Sequence, residues 1–213
     1  MKKKHVWWIA ISGALVVGAA LWGPIVSRVE QPKYEIVSST GSIEIRQYAP
    51  IIVAETEVTG EREKAINQGF RAIAEYIFGN NLSSQKVSMT APVTQQASEK
   101  IAMTAPVTQQ GEGHRWQVRF VMPATYTMET LPKPKNTAIH LRQIDAKRFA
   151  VIRFSGTSRD DNLKSHAGEL AAFIRASNLS PRSAPIYAFY NPPWTLPFLR
   201  RNEVMIEVAP ATN

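Results

Sequence analysis

The chain has 213 residues, 44% of them hydrophobic, enough to bury the core of one domain of ordinary size. It has no cysteine, which excludes disulfides, thiolate metal sites, cysteine nucleophiles, cysteine-ligated iron–sulfur clusters, thioether-attached haem and lipoprotein acylation. The net charge of +8 points to nucleic acid only until it is located: Lys2, Lys3, Lys4 and Arg28 flank an N-terminal apolar run, and residues 30–213 keep 21 basic against 17 acidic groups with no basic run of five, so no nucleic-acid partner is expected.

That apolar run is Val6 to Val26, 21 residues without a charge. At about 1.5 Å per helical residue it can cross a hydrocarbon layer of about 30 Å. Three lysines before it and one arginine after it favour a cytoplasmic N-terminus, and Trp7, Trp8 and Trp22 sit near its ends as an interfacial belt would. The sequence thus predicts an anchor or signal segment over residues 1–29, attached through residues 6–26 to the inner membrane, with the domain facing the periplasm. The competing reading is a signal peptide cleaved near Gly18-Ala19-Ala20, which releases the domain to the periplasm.

Residues 30–213 form the expected domain, and it contains a gapless repeat. Ile43 to Gly60, IEIRQYAPIIVAETEVTG, and Ile139 to Gly156, IHLRQIDAKRFAVIRFSG, share Ile43/Ile139, Arg46/Arg142, Gln47/Gln143, Ala54/Ala150 and Gly60/Gly156 at a constant offset of 96. Each block reads as two strands around a turn, at Tyr48-Ala49-Pro50 or Ile144-Asp145-Ala146, followed by a helix. In the first helix Ile66, Gly69, Phe70, Ile73 and Ile77 share a face and Gly79-Asn80 supplies the stop; in the second Ser158 can cap the start, and Leu163, Ala167, Leu170 and Ile174 recur at helical spacing. Strands resume at Trp116 to Met122, Ile186 to Tyr190 and Glu203 to Val208. The predicted class is α+β, with two similar halves, about 33–130 and 137–208, forming a distorted antiparallel β-barrel flanked by two helices. Pro132 and Pro134 mark the linker between halves.

A shorter repeat lies inside the first half. MTAPVTQQ occurs at Met89 to Gln96 and again at Met103 to Gln110. In the second copy Ile101, Met103, Ala105 and Val107 are expected to share one face of an extended chain, and Val87, Met89, Ala91 and Val93 do the same in the first. Pro92 and Pro106 each remove a ladder donor, so at least one copy belongs at an edge or bulge. Two short copies cannot make a solenoid, and the octapeptide reads as a local duplication.

Together YEI at Tyr34, IEIRQYAP at Ile43, AEYIFGNN at the end of the first helix, VSMTAPVT, IAMTAPVT, YAFYNPPW at Tyr187 and RRNEVMIEV at Arg200 resemble the SOUL haem-binding protein family, as a bacterial, membrane-anchored or exported member, over about residues 33 to 208. The resemblance implies non-covalent binding of haem or another tetrapyrrole in an apolar groove on the first helix. Carried onto this chain, the groove falls on Phe70, Ile73, Ala74 and Ile77, with Arg71, Arg200 and Arg201 available to propionates. Some members have a histidine, proposed as an iron ligand, where Gln47 stands here, and glutamine is a poor substitute for imidazole.

The remaining candidates have plainer readings. His5 precedes the anchor, His114 follows a Gly-Glu-Gly turn, His140 alternates with apolar neighbours on a strand and faces solvent, and His166 lies on the second helix in an exposed or capping position. No pair has metal spacing, so the axial ligand is left unknown. Met89 and Met103 could supply thioethers and Tyr48, Tyr187 and Tyr190 phenols, although packing accounts for each. No nucleophile elbow, HExxH, P-loop or Rossmann fingerprint occurs, and the chain is read as non-catalytic. The alternatives are a binding module for another apolar small molecule, or a small-molecule hydrolase using Glu75 or Glu203.

Overall fold

In the computed structural model, residues 29–83, 98–192 and 194–209 are described. The segment 6–26 and the first MTAPVTQQ copy lie outside these residues. Among the described residues, no helix is long and apolar enough to cross a membrane.

Strands β1 (Tyr34–Thr40), β2 (Ile43–Tyr48) and β3 (Ile51–Thr59) precede helix α1 (Arg62–Ile77); β4 (Asn81–Leu82), β5 (Val107–Glu112), β6 (Arg115–Val121) and β7 (Lys133–Pro134) follow. The second half contributes β8 (His140–Ile144), β9 (Lys147–Phe154), α2 (Asp160–Ala176), β10 (Ile186–Phe189) and β11 (Asn202–Glu207). The strand, strand, helix, strand, strand order read from the repeat is present twice. Nine strands form one curled antiparallel sheet in the order β1-β2-β9-β11-β10-β5-β6-β3-β8, with both helices packed on it: an α+β half-barrel.

The repeat is built by exchange. β2 of the first half pairs with β9 of the second, and β8 of the second pairs with β3 of the first. Tyr48 faces Lys147, and the residues 96 positions away from each, Ile144 and Ile51, face one another in the same register. Since a slip of one residue would turn every buried side chain to the wrong face, the shared register preserves the inward set in both halves at once.

Alternation divides the sheet into two faces. Ile43, Ile45, Ala150, Ile152, Val204 and Ile206 bury beneath Leu170 and Ile174 of α2. Ala54, Val58, Val118, Phe120 and Met122 bury beneath Ala65, Ile73, Tyr76 and Ile77 of α1. Full burial of side chains such as Ile73 and Ile77 stabilises the fold by roughly 1.5–3 kcal/mol each. Gly69 lets α1 approach β6 closely, because a Cβ there would stand 2.7 Å from Val118 Cγ2. Gly79, with φ of +113°, follows the last turn and ends the helix where the sequence places its stop.

Three local expectations change. Ser158 does not cap α2; Arg159 occupies the cap position without a side-chain cap bond, and the backbone carbonyl of Ser158, one residue earlier, accepts from Arg62 Nη2 at 2.8 Å. The stretch before Val107 is not a strand: Ile101 and Ala105 are buried as expected, but Met103 points out, because Glu30 bridges to Thr104 and the Thr104 hydroxyl donates to the Val121 carbonyl, which fixes the chain by other bonds than a ladder. The Pro132–Pro134 linker is pinned, with β7 pairing β4 and the Tyr76 hydroxyl donating to the Pro132 carbonyl at 2.8 Å.

On the face away from the helices, Glu203 is fully buried and takes hydrogen bonds from Arg46 Nη1 and Nη2 at 3.0 and 3.2 Å, Arg201 Nη2 at 2.7 Å and the Tyr190 hydroxyl at 2.7 Å. This ties β2 to β11 across β9. Arg142, the counterpart of Arg46 at the 96-residue offset, reaches Glu55 at 3.0 Å from a side chain that is 61% exposed. Breaking the Glu203 pair leaves an uncompensated buried charge, whereas Glu55, itself buried, keeps Arg119 Nε at 2.7 Å when the exposed Arg142 is removed. Glu203→Gln is therefore expected to cost about 3–5 kcal/mol of unfolding free energy by urea denaturation, and Arg142→Ala less than about 1 kcal/mol.

Candidate functional site

The expected groove residues divide along α1. Ile73 and Ile77 are 0% and 1% exposed and belong to the core beneath the helix, so they shape the helix seat and offer no surface of their own. Phe70 is 38% exposed, with its ring 5.2 Å from that of Phe120; Ala74 is half-buried and Arg71 exposed. Phe78, just past the helix, is exposed as well. Phe70, Ala74 and Phe78 recur every four residues, so they lie one above another as an apolar flank bordered by Arg71. Phe78 is not among the expected groove residues, although its spacing to Phe70 and Ala74 is legible in the sequence.

The arginines at the far end of the chain lie elsewhere. Arg201 sits on the face opposite the helices, its guanidinium 3.9 Å from the centre of the Tyr190 ring and bonded to Glu203 and Gln31. Arg200 Nε donates to the Thr195 carbonyl at 2.7 Å. The sheet separates Arg201 from α1, leaving Arg71 as the cation beside the flank. Gln47 is on β2, where its Oε1 accepts from Arg148 Nε at 3.2 Å, whereas α1 packs on β3 and β6.

No imidazole joins the flank either. His166 stacks on Phe154 with ring centroids 3.9 Å apart and its Nδ1 bonds the Asn162 carbonyl; His114 and His140 are exposed on a turn and a strand. Among the described residues, no group of three or more His, Asp or Glu side chains is placed to hold a metal ion. The flank fits one face of a flat apolar macrocycle with a carboxylate reaching Arg71, and iron ligation by histidine does not follow from it.

Two concavities lie beyond the helices. A cavity of about 680 Å³ at one rim of the sheet is lined by residues including Ile51, Ile52, Met122, Tyr126 and Met128. A smaller one of about 300 Å³ on the open face is lined by Tyr48, Phe149, Ile186, Tyr190 and Met205 among others. Their linings come from strands and loops far apart in sequence, which no local pattern announces. Glu203 is fully buried and lines neither cavity, its carboxylate committed to Arg46, Arg201 and Tyr190 rather than free to take a proton from substrate, and Glu75 is exposed on α1.

The open-face network also sets the phenols. Burial pushes the Tyr48 hydroxyl from 10.0 up to about 12, with Arg46 working against it, and burial with the negative charge of Glu203 raises Tyr190 well above its ordinary value. Burial works against the Arg46 charge, yet Glu203 and Tyr48 leave its pKa above the ordinary value.

The family model of the SOUL heme-binding proteins matches residues 29–207, most of the chain and all of both helices. The chain belongs to the SOUL haem-binding family. No curated protein sequence matches it. Solved structures similar to this SOUL domain include the C-terminal domain of EcmrR, 10% identical with a TM-score of 0.57, covering 83% of this chain and 98% of that one. A hydrolase from Listeria innocua is 12% identical with a TM-score of 0.53, covering 81% of this chain and 94% of that one. At such identities the likeness is one of fold alone.

Folded SOUL chains with neutral Tyr48 and Tyr190 resist ionisation that the unfolded chain undergoes near pH 10. The stability these phenols support is present below that pH and is lost as pH rises from 10 through about 12. Urea midpoints measured from pH 8 to 11.5 are expected to fall steeply above pH 10 in the parent and less steeply in Tyr48→Phe.

Proposed function

We propose that this SOUL domain binds haem or a related tetrapyrrole non-covalently against the flank of α1 formed by Phe70, Ala74 and Phe78, held by a membrane anchor at residues 6–26 on the periplasmic side. The observation that carries the reading is the family match over residues 29–207, to which the flank adds a surface of suitable chemistry. Bound haem supplies the macrocycle, the iron and two carboxylates. The chain's part is to bury one apolar face against Phe70 and Ala74, where a small side chain admits a flat ring, and to orient a propionate with Arg71. With no cysteine in the chain, attachment is by contact and charge.

A second reading, an apolar small molecule other than a tetrapyrrole, is favoured by the 680 Å³ rim cavity, a size usual for ligand pockets, whose lining joins Ile51, Ile52, Val121, Met122 and Met128 to a few charged groups such as Glu30 and Lys33.

Titrating the purified chain with haem and following the Soret region tests both. A saturable change at about one equivalent is expected in the parent and in Gln47→Ala, and none in Ala74→Trp at unchanged thermal stability. No saturable change in the parent defeats the haem reading; a saturable change abolished by Met128→Arg rather than by Ala74→Trp moves the ligand to the rim cavity.

Topology has its own measurement. A phosphatase that works only outside the cytoplasm, fused to the C-terminus, is expected to be active, and activity of a cytoplasm-only reporter in its place would refute the orientation.

A further inference from the structure

Large apolar side chains that stay exposed are not scattered over this domain. Ten are well exposed among the described residues, and six of them stand at one rim of the sheet: Met103, Met128, Trp194, Leu196, Phe198 and Leu199. Scattered apolar side chains on a soluble surface are ordinary, but a contiguous concentration marks a surface that something covers. Trp194 and Phe198 lead it, 69% and 70% exposed.

The strand pairing shows why these residues share a rim. Phe189 at the end of β10 faces Val107 at the start of β5 and Asn202 at the start of β11, and Val107 faces Phe120 near the end of β6. The segments that leave these four strand ends are therefore neighbours: Met103 precedes β5, Met128 follows β6, and the loop 191–201 connects β10 to β11. That loop is braced from within, by bonds from Thr195 N to the Pro192 carbonyl at 3.0 Å, Leu199 N to the Leu196 carbonyl at 2.9 Å and Arg200 N to the Pro197 carbonyl at 3.1 Å. Gly156 N fixes it to the body of the domain through the Pro197 carbonyl at 2.9 Å. It presents its apolar side chains outward instead of folding them under.

The chain's N-terminal entry is at the same rim. The Glu30 carbonyl accepts from Ala105 N at 2.9 Å, Glu30 Oε1 from Ala124 N at 2.8 Å, and Gln31 Oε1 from Arg201 Nη1 at 3.1 Å, so residues 30 and 31 touch all three apolar segments or their immediate neighbours. The uncharged run ends at Val26, and three residues span at most about 11 Å to Val29. A domain held by that run has this rim, and not the opposite end, next to the membrane surface. Tryptophan suits the headgroup boundary, with an apolar ring and a polar N–H, and phenylalanine and leucine suit the apolar layer just beneath it.

We propose that this rim is seated in the interfacial layer of the bilayer, with the loop 191–201 as its wedge and Trp194 and Phe198 entering the headgroup boundary. The occupant of the apolar patch is thus a lipid surface, and the inference rests on the reading of residues 6–26 as a membrane anchor.

The absence of cysteine makes the test direct. Trp194→Cys, Phe198→Cys and, as a control on the exposed strand β1, Ser39→Cys each give one labelling site in the full chain reconstituted into vesicles of phosphatidylcholine and phosphatidylglycerol. With a nitroxide at each, the labels at 194 and 198 are expected to collide more with oxygen, which partitions into lipid, than with a water-soluble nickel complex, with the order reversed at 39. Alkaline extraction of the same vesicles reports separately whether the chain is anchored. Labels at 194 and 198 that behave like the one at 39 in an extraction-resistant chain overturn the seated rim and leave the anchor standing. Labels shielded from both reagents also overturn it, because protein and not lipid then covers the patch. A chain released by extraction, with aqueous labels, removes anchor and seated rim together.

Discussion

Everything in this domain depends on two strands that pair outside their own half. β2 lies on β9 and β8 lies on β3, in registers that correspond at the 96-residue offset, so neither half owns a complete sheet. Each helix covers strands drawn from both halves: Leu170 and Ile174 of α2 sit on Ile43 and Ile45 of the first half, and Leu141 on β8 of the second packs against the cluster under α1. The buried Glu203 then fastens β2 to β11 across β9 at the point where the exchange crosses. A pair so buried contributes less by attraction than by the cost of any arrangement that would separate it.

How much of this the sequence discloses depends on distance along the chain. Periodicity within a helix or strand is a local property, and it located both helices, the inner residues Gly69, Ile73 and Ile77, the two turns of the repeat and the stop at Gly79. The repeat told of two similar halves but not that they trade strands, because an offset says which residues correspond and not which residues pair. Ser158 is not the cap because the helix starts one residue later, where the Arg159 carbonyl takes the first helical bond from Leu163 N. Met103 kept the right parity for a strand but faces outward, since Glu30, Thr104 and Val121 fix the chain there by bonds no local pattern encodes.

The candidate site was legible to the same extent. Phe70, Arg71 and Ala74 are on an accessible flank, while Ile73 and Ile77, at adjacent helical angles, are sealed beneath it; a helical wheel gives the angle, and the contact with β3 and β6 decides which part of the arc is covered. Arg201 is one residue from Arg200 and two from Glu203, and strand alternation sends Arg201 and Glu203 to the same side. That parity was available from the sequence, but without the sheet there was no way to know which side carried the helices.

Helix α1 is tethered at both ends. At its start Arg62 reaches Asp160 and the Ser158 carbonyl at the head of α2; just beyond its end Asn81 Nδ2 holds the carbonyls of Tyr76 and Glu99 at 2.8 and 2.7 Å. For a guest at the proposed flank along Phe70 and Ala74, these tethers mean that no helix has to form and little chain entropy would be surrendered on docking. Recognition at a tethered helix would be set by shape, favouring a flat rigid molecule over one that needs the helix to bend.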